Sequence, residues 1–517
     1  MAEDIELIQK YLNNTYGSEP LWEPLLEDGI TGWGTVRGIT RALQLEIGGL
    51  VVDGVFGDSL IKAVPIVAPG TNASREILAL VNSGLRCKGY SATPPPLPGF
   101  FEYGSSTQDA VETLREDANY PHGGSRTVSP QIWKGLCRMD DYRQVPGGDA
   151  NVRHIQQRVN EIAGDQAKIG LNPTDGIPSA NVTRGIIGVV QVEGNVSVDG
   201  LWGPGTAETL PTLALGSSDP TYNEIAQWGL YLNGFDVPLN RNFTEEVRDA
   251  VGAFQDFMCI NNPRIYRTVE TFTWPALLVS YGNKSRGQDD ISASASIGMD
   301  TSTKLDGLTR TFVDANFPAG QLGIKFVGRY LMNTPGGSLD KELSPDEVAE
   351  IHDAGLGIVP IFQTYGGENA YFTHDQGAKD ATDAQRVAEE LGVPTNVVIY
   401  FAVDFDAYGD DIADYVLPYF RGINATIQGY PVGVYGARRV CSEVSQEGLA
   451  VASYVGNLSS GWSGNIGQKM PENWAYDQYS EFNVNVYDED GNGQGTIGID
   501  QLVASNRYGL EWWPDRP

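Results

Sequence analysis

The sequence predicts a multidomain protein in which α-helical repeats precede an α/β barrel of the (β/α)8 type. Three observations predict it: the chain has 517 residues, its first half contains an internal repeat, and its last part alternates short apolar runs with helical stretches. One hydrophobic core does not normally organise so long a chain, since domains usually contain ~100–200 residues. Hydrophobic residues make up 41 % of the sequence, as expected of a folded protein.

The charge of the chain limits its partners. Lys and Arg total 35 against 66 Asp and Glu, which gives a net charge of −31. Such a field repels nucleic acid and anionic membrane surfaces, so we expect no nucleic-acid partner. The first residues, MAEDIELIQKYLNN, lack the basic patch and apolar run of a secretory signal, and no run approaches the ~20 apolar residues of a membrane helix. We expect no membrane insertion, and the export route and oligomeric state stay open.

The first half contains two copies of one pattern, 147 residues apart. The matching segments are IQ at 8–9 and 155–156, DGI at 28–30 and 175–177, and RGI at 37–39 and 184–186. Each copy has a DG turn, a short helix with apolar positions four residues apart, and a second DG turn in VDGVFG or VDGLWG. Asp-Gly favours turns because Gly accepts positive φ and Asp bonds to its own backbone.

Weaker relatives of the pattern follow each copy. REILALVNSGLRCKGY from Arg75 resembles NEIAQWGLYLNGFDVP from Asn223, and EEVRDAVGAFQDF from Glu245 has the same helical pattern. We therefore predict four helical modules, a polar linker without periodicity, and a barrel. The predicted boundaries are 1–70, 71–148, 149–215 and 216–282 for the modules, 283–295 for the linker and 296–515 for the barrel.

The repeated pattern, DG, then a helix ending in FQ or LQ, then VDGxxG, resembles the peptidoglycan-binding domain type 1 family of small three-helix modules. The closest matches are Phe254-Gln255 and residues 198–203. The resemblance implies that the modules hold the chain on peptidoglycan. Aromatic side chains that could stack on sugars, or could equally belong to a core, are Trp33, Trp202, Trp228 and Tyr231. A helical scaffold that only spaces or dimerises the chain remains an alternative.

Eight apolar runs separated by helical stretches predict parallel strands joined by crossover helices, as in a TIM barrel. The predicted strands are 296–300, 324–331, 356–362, 397–404, 431–436, 452–456, 474–479 and 497–500. Between the second and third of them, Ser344-Pro345-Asp346-Glu347 has the composition of a helix start, with a capping Ser and Pro at the first helical position.

In such barrels the chemistry lies at the carboxyl ends of the strands, and these runs end in acids, amides and tyrosines. The candidate acids are Asp300, Asp404, Asp406 and Asp500. The candidate substrate-binding residues are Gln363, Tyr365, Tyr400, Tyr435 and Gln478. This combination suits a sugar, which offers hydroxyls for hydrogen bonds and an apolar ring face for stacking.

The segment Asp404-Phe405-Asp406 supplies two carboxylates on one side of a strand end. Glycoside hydrolysis needs one carboxylic acid to protonate the leaving oxygen and usually a second group to assist, and neighbouring carboxylates have their pKa values pushed apart. A helix cap or calcium loop is the alternative, which the flanking apolar strand disfavours. Residues 488–493, DEDGNG, resemble the start of a calcium loop but lack its final Glu, so we interpret them as a hairpin turn.

The segments GMD, IYFAVDFD, GVYG and GID, with GLGIVPIFQTYG, resemble the glycoside-hydrolase-like domains of bacterial cell-wall proteins that are similar to family 25 lysozymes. The resemblance covers nearly all of residues 296–513. It implies that Asp300, Asp404, Asp406 and Asp500 line an active site, with Asp406 the acid and Asp404 the assisting carboxylate. Family 25 lysozymes have Asp-x-Glu where this chain has Asp-Phe-Asp, and a misplacement near 1 Å can cost ~10²-fold in rate.

Other chemistry is not favoured by the sequence. The four histidines are scattered without metal-ligand spacing, and the barrel contains no GxSxG or phosphate-binding GxxxxGK[ST] motif. We therefore predict no metal and no cofactor. The cysteines form no CxxC pair, and we expect buried thiols while leaving a Cys87–Cys137 bridge open.

The leading hypothesis is a lysozyme-like glycan hydrolase that cleaves β-1,4 bonds of N-acetylmuramic acid in peptidoglycan, outside the cell or in the cell wall. The alternative is a noncatalytic peptidoglycan-binding protein whose barrel has the glycan-binding groove of a glycosidase but no catalytic activity.

Overall fold

The computed structural model describes residues 2–260, 264–279, 282, 284, 290–292, 294–305, 323–365, 367–487, 493–509 and 511–513. The chain forms two compact units, Met1–Thr209 and Leu210–Pro517. The predicted linker, 283–295, lies largely outside the described residues. The division of the helical region into four modules stays a prediction.

The first unit is helical. Its helices are α1 (Ala2–Tyr16), α2 (Trp33–Ile47), α3 (Asp58–Ala63), α4 (Arg75–Cys87), α5 (Ser105–Asp117), α6 (Pro130–Leu136), α7 (Ala150–Ala163), α8 (Ala180–Glu193) and α9 (Pro204–Ala207). Side-chain caps start several of them: Ser74 accepts from the Ile77 amide, and Asp149 accepts from the first turn of α7. The apolar positions four apart that the sequence predicts for α2, Ile39 and Leu43, are fully buried.

A buried glutamine holds the first DG turn in each copy of the repeat. Gln9 Nε2 donates to Asp28 Oδ1 at 2.9 Å, and Gln9 Oε1 accepts from the Gly29 amide at 2.9 Å. Gln156 makes the equivalent bonds in the second copy, at 2.7 and 2.8 Å. Gly29 has φ of +72°, a conformation that favours glycine. We call this arrangement the glutamine clasp; it gives the sequence repeat a structural meaning.

The clasp recurs elsewhere in the helical region. Gln44 and Gln191 hold the second DG turns in the same way. In the second unit, α10 (Pro220–Leu232), α11 (Glu245–Phe257) and α12 (Thr273–Leu278) precede the barrel. There Gln227 and Gln255 accept from the backbone amide of a residue with positive φ, at 3.0 and 2.7 Å. The segments that contain Gln227 and Gln255 thus have a similar glutamine contact without an Asp-Gly pair.

The rest of the second unit contains a closed eight-stranded barrel with strands in sequence order. The strands are β1 (Ser296–Asp300), β2 (Phe326–Tyr330), β3 (Gly357–Phe362), β4 (Ile399–Ala402), β5 (Val432–Gly436), β6 (Ala452–Val455), β7 (Trp474–Tyr487) and β8 (Gly493–Ala504). Among the described residues, the helices between strands are α13 (Pro345–Asp353), α14 (His374–Leu391), α15 (Leu417–Thr426) and α16 (Arg438–Gln446). The predicted cap of α13 is confirmed, since Ser344 Oγ accepts from the Glu347 amide at 3.2 Å.

The prediction of eight parallel strands is wrong for the last one. β8 runs antiparallel to both β7 and β1, so the barrel sheet is mixed. The reason is the short connection: Tyr487 pairs with Gly493, and a parallel return needs a dozen or more residues. Strands β7 and β8 are also longer than predicted and form a hairpin. Of the residues interpreted as its turn, 488–493, those at 488–492 lie outside the described residues, and Gly493 begins β8.

Aromatic side chains fill the barrel, and a C-terminal segment covers its base. The rings of Tyr400, Tyr454 and Tyr476 lie 5.3–5.8 Å apart in the core. Trp512 pairs with Ile358 near the start of β3, and Glu511 accepts from the Tyr476 hydroxyl at 3.2 Å. The opposite end of the barrel, where β1 to β6 have their carboxyl ends, we call the mouth.

Two further expectations concern disulfide bonds and membrane-spanning helices. All four cysteines are free thiols; Cys137, Cys259 and Cys441 are buried, and Cys87 is half-buried. Within the part of the chain that the structure describes, no helix combines the length and apolar character needed to cross a bilayer.

Candidate functional site

Three carboxylates form a row across three neighbouring strands at the mouth. Asp500 on β8 is the register partner of Asp300 on β1 and of Glu481 on β7. Register partners direct their side chains to the same face of a sheet. The three residues line a cleft of about 510 Å³, together with Tyr330 and others. The seam between β8 and its two neighbours thus carries a row of acids.

One amide group serves two of these carboxylates. Gln478 Nε2 donates to Asp500 Oδ2 at 2.8 Å and to Asp300 Oδ2 at 3.1 Å. The Tyr454 hydroxyl also donates to Asp300 Oδ2, and the Tyr435 hydroxyl donates to Gln478 Oε1 at 3.4 Å. Tyr435 therefore fixes which end of the Gln478 amide faces the acids.

Burial and mutual repulsion keep a proton in this row. Burial raises the pKa of Asp300 to about 6, against hydrogen bonds from Tyr454 and Gln478 and the charge of Arg329. Burial, followed by the charges of Asp300, Glu481 and Asp404, raises the pKa of Asp500 to about 8. Two facing carboxyl groups with raised pKa values hold a proton as a pair at neutral pH.

Asp404 belongs to the same mouth through a second chain of hydrogen bonds. Gln363 Nε2 donates to Asp404 Oδ2 at 2.9 Å, and Lys341 Nζ donates to Gln363 Oε1 at 2.9 Å. The Lys341 ammonium lies 4.2 Å from the centre of the Tyr330 ring. Burial lowers the pKa of Lys341 to about 8, while the Asp404 charge opposes that shift. Lys341, Gln363 and the exposed Asp404 are thus joined by consecutive hydrogen bonds.

A buried ion pair lies next to the segment that follows β1. Arg329, fully buried on β2, donates through Nε to Glu347 Oε1 at 2.7 Å and through Nη1 to the Thr301 carbonyl at 2.5 Å. Glu347 also accepts from the Leu305 amide at 2.9 Å. The pair thus holds the segment that directly follows β1, and Asp300 is the last residue of that strand.

Six of the nine candidate residues meet at the mouth: Asp300, Asp404, Asp500, Gln363, Tyr435 and Gln478. Asp406 lies on the loop after β4, where its two oxygens accept from the Ser463 amide at 2.7 Å and the Ser463 hydroxyl at 3.1 Å. Tyr365 is exposed and packs against Tyr371. Tyr400 is buried, and its hydroxyl lies beside Gly509 at the base.

Several residues of the mouth were not found from the sequence. They are Tyr330, Lys341, Tyr454 and Glu481. Tyr330 and Tyr454 stand at or near the ends of predicted strands, so the rule that selected Tyr435 also applies to them. Glu481 lies beyond the predicted end of β7, and Lys341 lies in a loop without a recognisable motif. Within the described residues, no three His, Cys, Asp or Glu side chains are grouped to hold a metal ion.

Two relatives of the chain decide its family. The chain is 37 % identical over 521 residues to the uncharacterized protein FadG of Bacillus subtilis strain 168, with 98 % of this chain and 85 % of FadG covered. The chain belongs to the FadG/YbfG family. YbfG of the same organism is 37 % identical over 529 residues, which cover 98 % of this chain and 68 % of YbfG.

Two domain models match parts of this FadG/YbfG family chain. Residues 145–278 match the model described as FadG/YbfG, PGDB-like domain, and residues 320–506 match the model described as Rv2525c-like, glycoside hydrolase-like domain. A similar solved structure is the Mycobacterium tuberculosis Tat-secreted protein Rv2525c in complex with HEPES, with 20 % identity, a TM-score of 0.33, and coverage of 42 % of this chain and 98 % of that chain. The domain-model match identifies residues 320–506 as a glycoside hydrolase-like domain.

Proposed function

We propose that the chain is a lysozyme-like hydrolase of peptidoglycan glycan, acting outside the cell or in the cell wall without a cofactor. The observation that carries the proposal is the pairing of Asp300 with Asp500 under a shared Gln478 amide, in an open polar cleft. The match of residues 320–506 to a glycoside hydrolase-like domain supports the substrate class. The barrel itself is best understood as a (β/α)8 variant whose last strand is reversed.

Asp500 is our choice for the general acid. Its raised pKa leaves a proton available at neutral pH for the leaving glycosidic oxygen. Asp404 is exposed at the same mouth and is the second carboxylate, which stabilises positive charge on the sugar ring as the bond breaks. Gln363 orients Asp404, and Tyr435 and Gln478 orient Asp500. The family 25 resemblance favours Asp406 as the acid, but its oxygens are engaged with Ser463.

The helical region is the proposed wall-binding part. The match of residues 145–278 to a PGDB-like domain supports it. In the first repeat, Trp33 is 59 % exposed, close in sequence to the exposed Ile30 that follows a DG turn. An exposed indole offers a face for stacking on a sugar ring, whereas Trp228 is buried and belongs to the core. A weak hold on the polymer is sufficient, because tethering raises the local substrate concentration.

The test is release of reducing sugar from purified peptidoglycan. We expect Asp500→Asn and Asp404→Asn each to lose most activity, while Asp375→Asn, an exposed acid at the start of α14, keeps it. Asp406→Asn distinguishes the two candidate acids. If Asp406→Asn loses all activity while Asp500→Asn remains active, Asp406 is the general acid. An inactive parent chain contradicts the hydrolase proposal.

A noncatalytic peptidoglycan-binding protein is the second candidate. The observation that favours it is the contact of Asp406 with Ser463, since this position is Glu in family 25 lysozymes and the shorter side chain here is already engaged. Sedimentation of an inactive parent chain with insoluble peptidoglycan supports this candidate. Failure of residues 1–285 to sediment alone favours a scaffold role for the helical region.

A further inference from the structure

A second cleft lies in the helical first unit and has the opposite charge to the barrel mouth. It has a volume of about 240 Å³ and lies among the end of α6, the loop after α7, and the start of α8. Its cationic lining residues are Lys134, Arg138, Lys168 and Arg184. We call it the basic cleft. In a chain with 66 acidic and 35 basic residues, four cations around one cleft are a local reversal of the overall charge.

The cations of the basic cleft are poorly compensated. Lys168 Nζ lies 3.0 Å from Asp58 Oδ2, and Asp199 is the one acidic residue of the lining. Lys134, Arg138 and Arg184 form no ion pair with any residue that the structure describes. The buried Asp140 carboxyl group also interacts with Lys134 and Arg138, so three carboxyl groups, Asp58, Asp140 and Asp199, lie near four cations and the balance stays positive.

Lys134 is the most constrained of these cations. It is half-buried on α6, and a Cβ added at Gly170 would lie 2.9 Å from its Nζ, so the backbone of the loop after α7 closes one side of the ammonium. Burial, and then the neighbouring Arg138 charge, lower the pKa of Lys134 to about 8. A half-buried cation beside other cations destabilises the free protein, and a bound anion would remove that cost.

We propose that the basic cleft binds the dianionic phosphate group of inorganic phosphate or of a small phosphomonoester. Four cations in the lining against one lining carboxylate favour an anion of high charge density. Two guanidinium groups and two ammonium groups supply forked and single donors for phosphate oxygens. The volume equals about eight water molecules at ~30 Å³ each, enough for a phosphate group with a short substituent. This proposal is independent of the hydrolase proposal.

Calorimetric titration of the full chain tests it, with inorganic phosphate, glycerol 2-phosphate, dimethyl phosphate and acetate as separate probes at matched ionic strength. We expect the two dianionic probes to bind and the two monoanionic probes to bind at least tenfold more weakly. Equal binding of all four probes, or no heat from the dianions at millimolar concentration, overturns the proposal.

Lys134→Met distinguishes a ligand-binding lysine from a structural one. We expect the variant to lose phosphate affinity at least tenfold and to have a higher Tm than the parent in phosphate-free buffer. Lys379→Met, which removes an exposed cation of α14, should change neither. A lower Tm with unchanged phosphate affinity contradicts the proposal. Arg184→Gln, at an exposed position of α8, repeats the affinity test without altering a buried group, and unchanged affinity there also contradicts it.

Discussion

Asp300 and Asp500 are register partners across the antiparallel pairing of β1 with β8. Two acids face each other at this seam because the last strand enters the sheet from the mouth and not from the base. The reversal also brings Glu481 into the same row, since β7 continues past the barrel as the other half of the hairpin. The antiparallel last strand, which the sequence did not predict, is thus the feature that brings the acids together in one cleft.

The first prediction concerns Asp500 and pH. Its pKa is raised from 3.8 to about 8 in the folded protein, so folding becomes less favourable as pH rises through that range and the carboxyl group must ionise against burial. We expect Asp500→Asn to stabilise the protein at about pH 9 on the order of 2 kcal/mol, and to leave stability unchanged at about pH 4. Thermal unfolding at the two pH values measures the difference.

Asp375→Asn is the matched control, because Asp375 is exposed on α14 and distant in sequence from the row. It should not reproduce the gain at high pH. A loss of stability in Asp500→Asn at about pH 9 would mean that the carboxylate is a net stabilising group, contrary to its raised pKa.

The second prediction concerns the amide shared by the two acids. Gln478→Met keeps the approximate size of the side chain but removes the donor to Asp300 and Asp500. We expect a loss of about 1–3 kcal/mol near pH 8, where unpaired carboxylates are costly, and a smaller loss near pH 4. Urea denaturation measures it, with the exposed Gln446→Met as control. An equal loss at both pH values would point to packing and not to charge.

The third prediction concerns the glutamine clasp. Gln156→Leu leaves the Gly176 amide and the Ile177 carbonyl without their partner. We expect a destabilisation of about 1–3 kcal/mol in the first unit. Because two units unfold in one chain, hydrogen exchange is the sharper measurement: peptides containing Gly176 should exchange faster than in the parent or in Gln446→Leu. Unchanged protection there would show that the turn is held by other contacts.

The fourth prediction concerns the buried pair of Arg329 and Glu347. Arg329→Met leaves Glu347 charged in a site that water does not reach, and we expect a loss of about 3–5 kcal/mol. The double variant with Glu347→Met should lose less than the sum of the single changes, as a double-mutant cycle would measure. Arg386→Met, which breaks the exposed pair with Glu390, should leave the stability close to that of the parent. Additive losses in the buried cycle would contradict direct coupling.

Patterns along the chain were sufficient to locate the strands and most of the mouth. Apolar runs mark β1 to β6 to within a few residues, and the acids that follow them, Asp300 and Asp404, lie at the mouth because parallel strands bring their carboxyl ends together. The repeated DG turns were likewise found from the sequence, but the buried glutamine that holds each of them was not.

Features that depend on long-range closure were not predictable in this way. The direction of β8 depends on the length of one hairpin, which the sequence interpretation treated separately from the strand. Tyr400 and Tyr435 both lie on predicted strands, but their hydroxyls face opposite ends of the barrel, and alternation along a strand distinguishes inside from outside without distinguishing top from base. The contact between Asp406 and Ser463 joins loops 57 residues apart, which no local pattern reports.

Each clasp of the first unit depends on a side chain that has one donor nitrogen and one acceptor oxygen on the same carbon. In Gln9, Gln44, Gln156 and Gln191 the nitrogen faces an aspartate oxygen at 2.7–2.9 Å. Hydrolysis of such an amide would exchange that nitrogen for oxygen and set two carboxylates against each other. The helical unit therefore keeps its turns for as long as burial shields four nitrogen atoms from water.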